Sequence, residues 1–219
     1  MKTSFHFTRL ADRALQGREL STLNLVTDGC HTTEQLLRIV KDAVRGGVTM
    51  VQLREKTADT RTFLERAWAL KRLLQGTGVP LIINDRVDIA LAVDADGVHL
   101  GQSDMPVDIA RRLLGADKII GLSVENIEQI DQANTLDIQY IGISPIFATP
   151  TKTDTKAPFG LEGARQAVKR SKLPTIGIGG INASNIAAVR ATGLDGVAVV
   201  SAIMSAPDPQ RAARDLVRG

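Results

Sequence analysis

Asp85 and Asp104 each follow an apolar run fit for a buried strand: LIIN (81–84) leads into Asp85 and Arg86, and GVHLGQS (97–103) leads into Asp104. Carboxylates at such points have two ordinary uses. Asp is a good helix N-cap, and RVDIALAV and MPVDIARRLL follow directly, so capping is one reading for each. The other reading takes them together. With Asn84 and Gln102 they put hard oxygen and amide groups at adjacent strand ends, which matches Mg²⁺, a cation that takes one or two carboxylates plus phosphate oxygens and water.

The stretch QLREK (52–56) adds cations. Gln52, Arg54 and Lys56 share one parity of an otherwise apolar strand, so all three face one side of the sheet. A single Lys or Arg in a loop is ordinarily a solvated charge. Three polar groups on one inward face require an anion, because burying a cation without a partner is costly. His99, on the strand before Asp104, is open to two readings: a general base, or a hydrogen-bonded positioning group.

Further along, SPIFATPTKTDTKAPFG (144–160) is the longest connection in the chain, and its Thr149, Thr151 and Lys152 offer hydroxyls and a point charge suited to phosphate. The same composition also suits a loop with no ligand. GIGGIN (177–182) places Gly179 beside Gly180, where backbone amides can approach an anion closely, and VAVVSAI (197–203) carries Val200 and Ser201 into a helical turn. A tight turn explains one such glycine more easily than two.

These residues need a frame. Short β-branched runs alternate with amphipathic stretches from residue 23 onward, with no shift of composition to mark a linker. The strand candidates are LNLVT, TMVQLR, PLIIN, GVHL, KIIGLS, IQYIGI, TIGIG and GVAVV, each followed by a helical pattern. TEQLLRIVKDAVRGG, for example, sets Leu36, Leu37, Ile39, Val40 and Val44 in a stripe, and Gly46, Gly76, Gly115 and Gly193 stand where helices end. Eight such units in strict alternation predict a single (β/α)₈ TIM barrel over 23–219, with an open doubly wound sheet as the alternative. Every candidate above then falls just after a strand, at the end of the barrel where this fold builds its chemistry. Strands 2 to 4 would hold a metal-bridged polyphosphate, and strands 7 and 8 a monophosphate. Residues 1–22 form an N-terminal extension whose Phe5, Phe7, Leu10, Ala14 and Leu15 have helical spacing.

Composition narrows the class. The 219 residues carry a net charge of +3, but Lys and Arg are spread over the helical stretches, so nucleic acid is not implied. The single cysteine, Cys30, excludes an internal disulfide and an all-cysteine metal site, which fits a reducing compartment. No apolar run approaches ~18 residues and the N-terminus lacks the apolar core of a secretory signal, so no membrane association and a cytoplasmic location are expected. A homo-oligomer is left open.

Taken in order, QLREK, IINDR, GVHLGQSD, GLSV, GISPIFATPTK, GIGGI and GVAVVSAI resemble the successive motifs of the thiamine phosphate synthase family, over nearly the whole chain from residue 23. The resemblance implies a transferase of thiamine biosynthesis. It would join 4-amino-5-hydroxymethyl-2-methylpyrimidine diphosphate to 4-methyl-5-(2-hydroxyethyl)thiazole phosphate, giving thiamine phosphate and pyrophosphate. It also implies Mg²⁺ on Asp85 and Asp104, and the pyrimidine diphosphate on Gln52, Arg54, Lys56 and Asn84. Ser123 would meet the diphosphate or pyrimidine end and Lys152 the diphosphate, with Arg54, Ser123 and Lys152 catalytic. Thr149, Thr151, Gly180, Val200 and Ser201 would bind the thiazole phosphate. Ser144 and Ala148 depart from the Gly and Pro common in the family. A thiazole tautomerase-like sister enzyme and a catalytically silent thiazole phosphate-binding regulator are the alternatives on the same scaffold.

Overall fold

The computed structural model describes residues 22–148 and 157–219. Each apolar run pairs with the next one along the chain. The strands are β1 (Thr22–Val26), β2 (Met50–Leu53), β3 (Leu81–Asn84), β4 (Gly97–Leu100), β5 (Ile119–Val124), β6 (Tyr140–Ile143), β7 (Thr175–Ile178) and β8 (Gly196–Val199). They are parallel and hydrogen-bonded in chain order, and β8 closes on β1, so the structure is the predicted barrel and not an open sheet.

Helices connect the strands outside: α1 (Thr33–Gly46), α2 (Thr60–Leu74), α3 (Val87–Ala92), α4 (Val107–Leu114), α5 (Ile127–Ala133), α6 (Gly160–Arg170) and α7 (Ile186–Arg190). After β8 come two, α8 (Ser201–Met204), which is the expected short helical turn, and α9 (Pro209–Arg218). The start of α1 shows how local sequence sets these bounds: Thr32 Oγ1 accepts the Gln35 N–H and Gln35 Oε1 accepts the Thr32 N–H, a reciprocal capping box. Its end differs by one residue from the expectation. Gly47, at φ 111°, is the left-handed cap, whereas Gly46 is the last helical residue and is glycine because a Cβ there would lie 2.3 Å from the Gln210 carbonyl oxygen. In the stripe of α1, Leu36, Ile39, Val40 and Ala43 are buried, while Leu37 and Val44 sit at its margin.

Two cores result. The larger lies between the strands and the helices, and a smaller one of Val26, Met50, Ile82, Tyr140, Ile176 and Ala198 fills the lumen. Tyr140 fits there because its partner across the sheet is Gly121, where a Cβ would lie 2.1 Å from the Tyr140 ring. No helix among the described residues is long and apolar enough to cross a membrane.

Candidate active site

Above the inner core, at the C-terminal ends of the strands, lies a cavity of ≈ 420 Å³. Strand alternation decides what enters it. On β2 and its continuation, Gln52, Arg54 and Lys56 line the cavity, while Glu55 faces outward and accepts from Arg66 Nη1 at 2.7 Å. Thr27 pins this segment: its Oγ1 accepts the Arg54 N–H at 2.9 Å and donates to the Arg54 carbonyl at 3.2 Å. The Arg54 guanidinium itself has no hydrogen-bond or ion-pair partner among the described residues, so a cation points into the cavity uncompensated. Gln52 is buried and its Nε2 donates to Asn84 Oδ1 at 3.4 Å, joining β2 to β3.

Neither Asp85 nor Asp104 is a helix cap. The cap positions of α3 and α4 are Arg86 and Pro106, and neither helix start has a side-chain cap hydrogen bond. Asp85 instead occupies the left-handed region at φ 62°, which Asp tolerates better than most residues. Its N–H donates to the His99 carbonyl at 2.9 Å, extending the β3–β4 ladder by one bond, and the chain then turns back with the Arg86 N–H on the Asn84 carbonyl at 2.7 Å. The carboxylate accepts from Lys56 Nζ at 2.7 Å. Asp104 closes its own loop, its Oδ2 accepting the Gly101 N–H at 2.7 Å. Burial first, and then the neighbouring Asp85 carboxyl, push the Asp104 carboxyl above the ordinary carboxylate range.

A carboxyl group whose charge is disfavoured by burial and by a second carboxyl beside it fits a hard divalent cation, which would relieve the repulsion. Among the described residues no group of three or more His, Cys, Asp or Glu gathers for a metal. A pair of this kind leaves the remaining positions to water and phosphate, as Mg²⁺ prefers.

The opposite wall is a hydrogen-bonded chain: Tyr140 OH lies 2.9 Å from His99 Nδ1, and His99 Nε2 lies 2.9 Å from Ser123 Oγ. Burial pushes the Tyr140 phenol far above its usual range, so it stays neutral. His99 therefore positions Ser123 and is held from behind by Tyr140. Gln102, which also lines the cavity, donates from Nε2 to the Ser123 carbonyl at 2.6 Å, tying the β4 loop to β5.

Nine of the candidate residues thus meet in one cavity: Gln52, Arg54, Lys56, Asn84, Asp85, His99, Gln102, Asp104 and Ser123. Gly180, Val200 and Ser201 stand just past β7 and β8 at the same end of the barrel but do not line it. Thr149, Thr151 and Lys152, and residues 1–21 of the expected 1–22 extension, lie outside the described residues, while Thr22 opens β1. The glycine pair has a structural duty of its own: a Cβ on Gly179 would lie 2.7 Å from Pro145 Cβ, and one on Gly180 would lie 2.9 Å from Phe147 Cβ. Asn24, Tyr140 and Ser144 also line the cavity and were not foreseen. The inward parity that singled out Gln52 and Arg54 applies equally to Asn24 in TLNLV and Tyr140 in YIGI.

A closed parallel barrel that turns charge into its C-terminal mouth, and apolar side chains into its floor, belongs with enzymes that act on small molecules at that end of the barrel. Comparison with known proteins narrows this. The family model described as thiamine monophosphate synthase matches residues 23–203, and the chain belongs to that family. It is 59% identical over 195 residues to a thiamine-phosphate synthase of Vibrio campbellii, covering 89% of this chain and 96% of the relative. It is 55% identical over 188 residues to one of Albidiferax ferrireducens, covering 85% and 86%. Among solved structures, a thiamine phosphate pyrophosphorylase from Pyrococcus furiosus superposes with a TM-score of 0.80 at 38% identity, covering 90% of this chain and 94% of that one. A 3-hexulose-6-phosphate synthase, at TM-score 0.70 and 20% identity over 90% of this chain and 98% of its own, shares the fold.

Proposed function

We propose that the chain is a thiamine phosphate synthase, joining 4-amino-5-hydroxymethyl-2-methylpyrimidine diphosphate to 4-methyl-5-(2-hydroxyethyl)thiazole phosphate with release of pyrophosphate. The observation that carries this reading is the convergence of Arg54, Lys56, Asp85 and Asp104 on one cavity whose lower part is apolar. Charge at the mouth suits a diphosphate, and the floor below suits a flat heterocycle.

Arg54 and Lys56 hold diphosphate oxygens, with Lys56 already oriented by Asp85 at 2.7 Å. Asp85 and Asp104 would hold Mg²⁺, which when bound supplies positive charge to the departing pyrophosphate. The bond between the pyrimidine methylene carbon and the diphosphate oxygen breaks with its electron pair leaving on oxygen. The electron-rich aminopyrimidine stabilises the resulting cation. Val26, Ile178 and Ala198 line the cavity and exclude water from it. The thiazole ring nitrogen then donates its lone pair to form the new carbon–nitrogen bond. That nitrogen carries no proton to remove, so the reaction needs no general base, in keeping with a histidine whose ring nitrogens are engaged by Tyr140 and Ser123. Lys152 and Ser123 assist the leaving group, while Thr149, Thr151 and the backbone at Gly180, Val200 and Ser201 take the thiazole phosphate. A thiazole tautomerase would need neither the carboxylate pair nor its lysine.

Incubation of the purified protein with both substrates and Mg²⁺ tests the reading. Thiamine phosphate and pyrophosphate are expected in equal amounts, and their absence with intact substrates overturns it.

A further inference from the structure

Asn24 lies in β1 beside Met50 of β2 and Ala198 of β8, two apolar side chains that offer it no donor. It is 2% exposed, it lines the cavity, and its Oδ1 is buried with no hydrogen-bond partner. The other orphaned side-chain atoms among the described residues are Nε of Arg66 and of Arg190, neither of which lines the cavity. Elsewhere in the cavity Gln52 pairs with Asn84, and His99 with Ser123 and Tyr140. A buried carbonyl without a donor destabilises the fold unless a ligand or a water completes it.

We infer that Asn24 determines specificity for the aminopyrimidine ring, its Oδ1 accepting from the exocyclic amino group while Nδ2 donates to the adjacent ring nitrogen. This rests on the substrate assignment made above. An amino group beside a ring nitrogen presents a donor and an acceptor on one edge, the pair that a carboxamide matches bidentately on adenine. The placement agrees with the rest of the cavity. Arg54 and Lys56 fix the diphosphate beyond the end of β2, so the ring enters lumen-first, toward the inner face of β1.

The test compares wild type with Asn24→Leu, which keeps the side-chain volume and removes the carboxamide. The probes are 4-amino-5-hydroxymethyl-2-methylpyrimidine and its analogue with hydrogen in place of the amino group, each measured as a competitive inhibitor against the pyrimidine diphosphate. Wild type is expected to bind the amino compound about tenfold or more tightly than the analogue, because a site built to hydrogen-bond an N–H rejects a ligand lacking it. Asn24→Leu is expected to bind the two alike, with the KM for thiazole phosphate unchanged. Asn24→Ser, smaller and unable to reach both positions, gives the same readout if the leucine variant does not fold. A variant that keeps the wild-type preference while wild type makes thiamine phosphate overturns the inference alone. A wild type that makes no thiamine phosphate overturns the substrate assignment with it.

Discussion

Lys56 Nζ donates to Asp85 Oδ2 at 2.7 Å, so a cation carried beyond β2 and a carboxylate at the end of β3 are joined before any ligand arrives. The same carboxyl group disfavours charge on Asp104. Asp85 is therefore the hinge of the charged mouth, shared between a lysine suited to phosphate and a second acid suited to metal. Asn at Asp85 keeps a residue that tolerates φ 62° and removes the charge. Turnover measured against Mg²⁺ concentration for Asp85→Asn and Asp104→Asn should show a raised Mg²⁺ requirement, by more than the roughly 10–100-fold that an outer-sphere change costs. Thermal melts should stay within about 1 kcal/mol, since the ion pair lost is exposed and neither residue caps a helix. Wild-type Mg²⁺ curves in both variants would sink the assignment.

Gly121 and Tyr140 form a second test. A methyl at Gly121 would lie 2.1 Å from the ring of a fully buried tyrosine. Gly121→Ala should cost about 1–3 kcal/mol by overpacking, read from urea unfolding, and should displace Tyr140 from His99. An unfolding midpoint equal to wild type would show that the ring has room to move.

Tyr140→Phe isolates the hydrogen bond. Removing the hydroxyl leaves His99 Nδ1 without that partner at a cost of about 1 kcal/mol, and loosens the ring that holds Ser123. The expected outcome is a fall in kcat larger than any rise in KM for either substrate. Unchanged kcat would leave this chain of side chains as packing only.

Gly180→Val should weaken thiazole phosphate binding and also lower the melting temperature. The residue sits at φ 65°, where a β-branched side chain is strained, and its Cβ would lie 2.9 Å from Phe147 Cβ. A melt equal to wild type would contradict the close packing of the loop after β6 against that turn.

Lys152 carries the remaining expectation for the diphosphate. Lys152→Ala should lose turnover while the melting temperature stays at the wild-type value, and wild-type turnover would remove this lysine from the reaction.

The barrel was legible because its causes are local and periodic. Eight apolar runs at regular spacing, separated by amphipathic stretches, allow few arrangements in which every strand is covered on both faces. The polar side of QLREK was legible for the same reason, since strand parity alone places Gln52, Arg54 and Lys56 together. Family membership followed from the order of the motifs, which matches the family over residues 23–203.

What the sequence left open at Asp85 and Asp104 was whether they cap helices or line the cavity, because an Asp before a helix satisfies both patterns. Only the tertiary structure decided it. The left-handed turn at Asp85 exists because the β3–β4 ladder runs one bond further, onto the His99 carbonyl, and Asp104 turns inward because Gly101 leaves room for its oxygen. Asn24 was hidden for a related reason. Its type and parity stand in the sequence, but the lack of a donor for its Oδ1 arises only when Met50 and Ala198 close around it, and hydrogen-bond satisfaction is a property of neighbours that the chain brings from far away.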